Sequence, residues 1–163
     1  MAGAGGKKAM GERPLRVEPI HNGTVIDHIT AGQALNVLRV LRIDASCEAV
    51  VSVLMNVGSQ KVGRKDIVKV EDRELSGQEA ELIALLAPQA TINIIRQGKV
   101  TRKFAVDVPK EALGVLRCPN PNCITNACEP IASRFRLLSR EPVALGCDYC
   151  GTVLQGSILD YLL

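Results

Sequence analysis

The chain has 163 residues, enough for one domain or two small ones, and its 47% apolar content allows a globular core. Aromatics make up only 2% with no Trp, so the core must be built from Val, Ile, Leu and Ala, and each half would be marginal unless a metal or a partner chain supplied the difference. The net charge of +3 comes entirely from residues 1–16, with four basic side chains and one acidic; residues 17–108 carry eleven of each sign and residues 109–163 five of each, without the basic excess that nucleic-acid phosphate requires.

No apolar run approaches the roughly 20 residues of a membrane span. The basic N-terminus is not followed by the apolar stretch of a signal peptide. Residues 1–13 read as a flexible Gly/Ala-rich tail. With no export signal, a cytoplasmic, reducing setting is expected, and the six cysteines are not expected to form disulfides.

Leu15–Ile20 and Thr24–Ile29 predict two short strands around the His21-Asn22-Gly23 turn. Ala34, Leu35, Leu38 and Leu41 have helical spacing within Ala31–Ile43. Ala49–Val57 and Ile67–Val70 predict strands. Ser76-Gly77-Gln78-Glu79 has the capping-box pattern; Ala80, Ile83 and Leu86 form the apolar stripe behind it, and Pro88 ends the helix. Thr91–Ile95 and Val100–Val108 predict a hairpin around Gln97-Gly98. The expected fold is α+β: an antiparallel sheet with two helices on one face (ββαββαββ) over residues 14–108, then a small all-β, zinc-ribbon-like domain over 109–163. Pro109–Leu116 is the expected linker, and strands are expected near Ile131–Leu137 and Val153–Leu159.

The strongest chemical signal is cysteine spacing. Cys118 and Cys123 form C-x4-C, Cys147 and Cys150 form C-x2-C, and twenty-three residues separate the pairs. Two such loops present four thiolates at the corners of a tetrahedron, the arrangement of a structural Zn2+ site with no open coordination position. Pro and Asn in the first loop favour the tight turns this needs. Buried free thiols and an iron–sulfur cluster are the competing readings, and nothing else in the chain points to redox work. Cys128, between the pairs, reads as a small packing residue, and Cys47 as core at the start of a strand.

Four blocks then carry a resemblance: Gly23-Thr24-Val25-Ile26-Asp27-His28-Ile29, Gly63-Arg64-Lys65-Asp66-Ile67-Val68-Lys69, Ala87-Pro88-Gln89-Ala90-Thr91-Ile92-Asn93 and Cys118-Pro119-Asn120-Pro121-Asn122-Cys123-Ile124. In order, and together with the cysteine pairs, they resemble the regulatory chains of aspartate carbamoyltransferase from about Arg16 to the C-terminus. The resemblance implies a non-catalytic subunit controlling pyrimidine biosynthesis. Its first domain would bind CTP as inhibitor and ATP as activator, with UTP and Mg2+ a further effector combination. Its zinc domain would dock on the catalytic chain, and regulatory dimers would bridge catalytic trimers.

By the same resemblance, the nucleotide site comprises Val17, Ile20, Val25, Asp27, His28, Lys69, Asn93, Ile95, Val100 and Lys103. Asp27 would face the ribose, His28 the phosphates, and Lys103 would be the main phosphate cation. Strand alternation alone would point Asp27 and His28 to opposite faces unless the strand ends there, and places Lys65 and Lys69 on one face. Without the family, a lone strand histidine and hairpin lysines read as structural or solvated side chains. Asn120, Asn122 and Arg140 are expected against the catalytic chain, with Arg134 and Arg136 as neighbours; solvated arginines are the simpler alternative. Gly151, where family members can carry an acidic residue, and Cys128 depart from the family pattern.

Two other function classes compete. A zinc-ribbon nucleic-acid binder would need basic and aromatic residues on the metal module, where charge is balanced and aromatics are few. A nucleotide-processing enzyme would need a Gly-rich phosphate loop, a nucleophile–base pair or paired carboxylates, none of which is evident.

Overall fold

The computed structural model describes residues 18–128 and 131–163. The first part runs β1 (Gly23–Thr30), α1 (Ala34–Val40), β2 (Val51–Ser59), β3 (Gly63–Glu71), α2 (Gly77–Leu86), β4 (Thr91–Arg96) and β5 (Lys99–Ala105). Its strands form one antiparallel sheet in the order β2-β3-β1-β4-β5. The second part has β6 (Glu111–Leu113), β7 (Arg134–Arg140), β8 (Val143–Cys147) and β9 (Val153–Gln155) in a sheet of order β6-β7-β8-β9, with short 3-10 turns at Ile124–Asn126 and Ile158–Tyr161.

The α+β architecture follows from alternation. Thr24, Ile26 and Ile29 of β1, Val68 and Val70 of β3, and Ile92 and Ile94 of β4 are buried beneath the helices, which add Val37, Val40, Ile83 and Ala84 to the same core. The two helices are joined at their ends. The capping box is present, with Glu79 N donating to Ser76 Oγ at 3.2 Å and Ser76 N to Glu79 Oε2 at 2.9 Å. Glu79 also pairs with Arg73, whose Nη1 donates to the Leu41 carbonyl at the end of α1 at 2.9 Å.

Several expected elements differ. Of the first expected strand, residues 15–17 lie outside the described residues and Glu18–Ile20 form no strand, so the described order is βαββαββ. The segment before β1 instead clamps the sheet's end: Asp72 N donates to Asn22 O at 3.0 Å, Gly98 N to His21 O at 2.8 Å, and Gln97 N to Asn22 Oδ1 at 3.0 Å. The expected linker 109–116 contains β6, an edge strand paired with β7. The run Val143–Cys147, not expected as a strand, is β8; all five residues are buried, so it lacks the alternation that marks a half-exposed strand. The last expected strand ends at Gln155, because Gly156 adopts φ 84° and the chain turns into the 3-10 segment. Cys47 sits half-buried in the turn between α1 and β2.

One buried carboxylate organises the first sheet. Asp66, on β3, is fully buried and is the one buried charged side chain among the described residues. Its Oδ2 accepts from Gly32 N at 2.8 Å and Ala34 N at 3.0 Å, and its Oδ1 from Asn56 N at 2.8 Å. It thus satisfies donors at the start of α1, which has no side-chain cap, and at the irregularity in β2 between Leu54 and Val57. Replacing a charged acceptor of this kind leaves backbone donors unpaired, so Asp66→Ala should cost about 2–4 kcal/mol. A urea titration of the purified chain checks this; an unshifted midpoint would show that the three donors find water instead.

Candidate functional site

Two groups of side chains stand out, one in each sheet. In the second, the loop after Leu116 and the turn after β8 bring Cys118, Cys123, Cys147 and Cys150 together, with all four sulfurs within 4.8 Å of one another. Cys118 and Cys150 are 3.6 Å apart at sulfur, and Cys123 and Cys147 3.8 Å. A metal–sulfur distance of about 2.3 Å in a tetrahedron puts sulfurs about 3.8 Å apart, so the cluster has the size of a four-thiolate cage.

The loops are built to point inward. Cys123 N donates to Asn120 O at 3.0 Å and Asn122 N to Asn120 Oδ1 at 3.0 Å, closing the first turn. Asn126 braces it from outside, its Nδ2 donating to the carbonyls of Cys118 at 2.9 Å and Asn120 at 2.7 Å. Gly151 N donates to Cys147 O at 2.8 Å and Cys147 N to Thr152 O at 2.9 Å, closing the second. Gly151 holds φ 74°, a left-handed position that an acidic side chain would occupy with strain. Thr125 Oγ1 lies 3.2 Å from Cys123 Sγ, and Thr152 Oγ1 3.2 Å from Cys150 Sγ. Asn126 and the two threonines were not anticipated from sequence; their only signal is polar residues two or three positions after a cysteine.

Charge decides what the cage can hold. Burial pushes the Cys118 thiol up to about 12 and raises that of Cys147, whereas the side-chain and backbone hydrogen bonds of Thr152 bring Cys150 down to about 6. Four thiolates at this spacing are stable only around a cation, and the set leaves no position for a reacting ligand, which fits a structural metal. Cys128 is exposed, not packed as expected, and lies outside the cluster.

The other group lies on the sheet face away from the helices. Register places Lys69 opposite Val25, Val25 opposite Asn93, and Asn93 opposite Lys103, so these four residues make one row across β3, β1, β4 and β5. Ile95 pairs with Gly23 and with Val100 one step along. Ile20 is buried beside this end, Val100 is exposed, and Val17 lies outside the described residues.

Asp27 and His28 do not point apart. The register of β1 slips between Ile26 and Ile29, and His28 adopts φ 55°, which brings its Nδ1 to 3.6 Å from Asp27 Oδ2 while its N–H donates to Asp27 Oδ1 at 2.6 Å. His28 Nδ1 is buried and has no hydrogen-bond partner among the described residues. Lys65 Nζ reaches Asp27 Oδ1 at 2.7 Å, an addition to the expected set that its spacing from Lys69 had signalled. Burial opposes the charged form of Asp27, but Lys65 and the His28 N–H outweigh it and hold the carboxyl below its ordinary range. Its contribution is therefore present above the ordinary carboxylate value and lost only as pH falls through the depressed native one.

Of the other expected positions, Asn120 is half-buried and Asn122 exposed in the first cysteine loop. Arg140 donates to Asp107 at 2.6 Å, Arg134 pairs with Glu111 and Asp148, and Arg136 with Asp148.

Comparison with known proteins assigns both groups to one family. The family model described as the allosteric domain of the aspartate carbamoyltransferase regulatory chain matches residues 15–107, and that of its metal binding domain matches residues 110–160. The chain belongs to the aspartate carbamoyltransferase regulatory chain family. The regulatory chain of Methanothrix thermoacetophila is 56% identical over 154 residues, covering 94% of this chain and 100% of the relative. Those of Haloquadratum walsbyi and Methanothermobacter thermautotrophicus are 56% and 51% identical over 146 residues, covering 90% of this chain and 80% and 93% of the relatives. A regulatory chain is the non-catalytic subunit, so the row across the sheet falls in an allosteric domain and the thiols in a metal-binding one. No helix among the described residues is long and apolar enough to cross a membrane.

Elemental analysis should find one divalent metal per chain, and Cys118→Ala or Cys147→Ala should abolish it. Loss of the ion should unfold the second sheet, seen as collapse of amide protection from Arg134 to Gln155 while Asp66 and its partners stay protected. Because the ligands must be thiolates, metal retention should weaken as pH falls.

Proposed function

We propose that this chain is the allosteric subunit of aspartate carbamoyltransferase, binding CTP and ATP on the open face of its first sheet and docking on the catalytic chain through a Zn2+ domain. The observation that carries the reading is the row Lys69–Val25–Asn93–Lys103, with a cation at each end and Val25 and the Asn93 amide between them, next to the Asp27–Lys65 pair. A nucleoside triphosphate needs that combination: cations for phosphate, a carboxylate for ribose hydroxyls and an amide for the base. Lys103 is the principal phosphate cation, Asp27 the ribose acceptor, and His28 faces the phosphates. Ile20, Val25, Ile95 and Val100 wall the base, with Val17 completing the site.

Backbone groups at Ile20 and Ile95 read the exocyclic amino group that cytosine and adenine share, which lets one site take both effectors. UTP with Mg2+ is a further effector of the same face. The allosteric domain spans 14–108 and the zinc domain 109–163. Zinc is the ion of choice for four thiolates with no open position. Regulatory dimers join catalytic trimers in the cytoplasm, and the Asn120–Asn122 loop, fixed by the metal, is the face presented to the catalytic chain. Effectors act by binding one global state of the assembly better than the other, with a coupling on the order of 1–3 kcal/mol.

Calorimetry on the purified chain should show CTP and ATP competing for one site. Lys103→Ala should weaken both about 10- to 100-fold, as expected for removing a charge-assisted phosphate contact, and leave zinc content and assembly unchanged. Unchanged CTP affinity would remove Lys103 from the phosphate site, and independent saturation by the two nucleotides would rule out a shared pocket. Chelating the zinc should release the catalytic chain on size-exclusion chromatography; an intact assembly after verified metal removal would refute the docking role.

A further inference from the structure

Two polar contacts between the sheets sit at one place. Arg140 closes β7 and Glu141 follows it at the tip of the β7–β8 hairpin. Arg140 Nη1 donates to Asp107 Oδ1 at 2.6 Å, and Gln89 Nε2 donates to Glu141 Oε1 at 2.5 Å. Gln89 stands just before β4 and Asp107 just after β5. The tip of the metal-domain hairpin therefore grips the base of the β4–β5 hairpin on both of its strands. That base is closed on itself, with Thr91 paired to Ala105 and Val106 N donating to Ala90 O at 3.0 Å. The far end of the same hairpin, Gln97-Gly98, is held by His21 and Asn22. Asn93, Ile95, Val100 and Lys103 lie between the two anchored ends.

We infer that Arg140 and Glu141 are positioning residues of the allosteric response, a polar latch through which the metal domain senses the β4–β5 hairpin; this rests on the effector reading proposed above. The latch is poorly suited to holding the fold together. The Arg140 and Asp107 side chains are 52% and 82% exposed, and pairs so exposed contribute little to stability while breaking and re-forming readily. Packing beside them is open. A cleft of about 400 Å³ lies between Leu86, Pro88 and Gln89 on one side and Arg140, Glu141 and Pro142 on the other, so the hairpin tip is not tightly packed against the first sheet's helices and loops. An effector that draws Lys103 and Asn93 together moves the strands whose ends carry Asp107 and Gln89, and the latch transmits that movement to the domain holding the metal.

The test uses the enzyme assembled from catalytic chains and substituted regulatory chains. In Arg140→Ala and in the double variant with Glu141→Ala, nucleotide affinity by calorimetry and zinc content stay as in the unsubstituted chain. The change in rate produced by CTP or ATP falls by about two- to fivefold, the range one or two exposed polar pairs can supply. Exchanging the charges, Asp107→Arg with Arg140→Asp, restores the response that either single change loses. Raising ionic strength reduces the response of the unsubstituted assembly more than that of Arg140→Ala. An undiminished response in the double variant, with affinities unchanged, overturns the latch. An unsubstituted assembly that ignores both nucleotides instead overturns the effector reading, and the latch falls with it.

Discussion

Four thiols converge within 4.8 Å in a region whose strands are short, and the rest of that region depends on how their charge is settled. Buried thiolates repel one another and are poorly solvated, and buried neutral thiols would leave the loops with nothing to close around. A divalent cation resolves both at once, contributing on the order of 10–16 kcal/mol in sites of this kind. That exceeds the total stability of most small domains. The loop carrying Asn120 and Asn122 and the turn from Cys147 to Thr152 thus owe their positions to coordination more than to packing. The protein supplies direction through Asn126, Thr152 and the turn amides, while the ion supplies the energy.

The first sheet solves a different problem. It must keep a polar face open on one side of a layer whose other side is core. Antiparallel register does this without special devices: once Val25 faces Lys69 and Asn93, the placement of Lys103 follows. The cost is that polar groups on an open sheet gain little from burial, so their arrangement must come from elsewhere. Here it comes from ties at the periphery, in the Asn22 clamp at one end and the Asp66 carboxylate beneath the other.

Much of this was readable from residues alone, for identifiable reasons. The cysteine pairs are a short-range spacing rule, and the capping box at Ser76 is a local hydrogen-bond pattern; both survive any tertiary context. The cross-strand row was legible only through resemblance, since no single strand reveals its partner's register. What escaped prediction had weak local signals. The strand Val143–Cys147 has both faces covered and therefore no period. The three-residue strand beginning at Glu111 sits between Pro109 and Gly114, which read as linker. The pairing of Arg140 with Asp107 joins residues 33 apart in sequence, which no local rule connects.

The slipped register at His28 has a consequence for how this part of the chain tolerates change. Strand β1 turns two successive side chains, Asp27 and His28, away from the core and then returns Ile29 to full burial, which only an additional residue makes possible. Removing that residue would return the strand to simple alternation, with Ile26 and Ile29 still inward and Asp27 outward, so the core would tolerate the loss of a single codon here. What would go is the second outward side chain, so the extra residue serves the outer face of the sheet and not the packing beneath it.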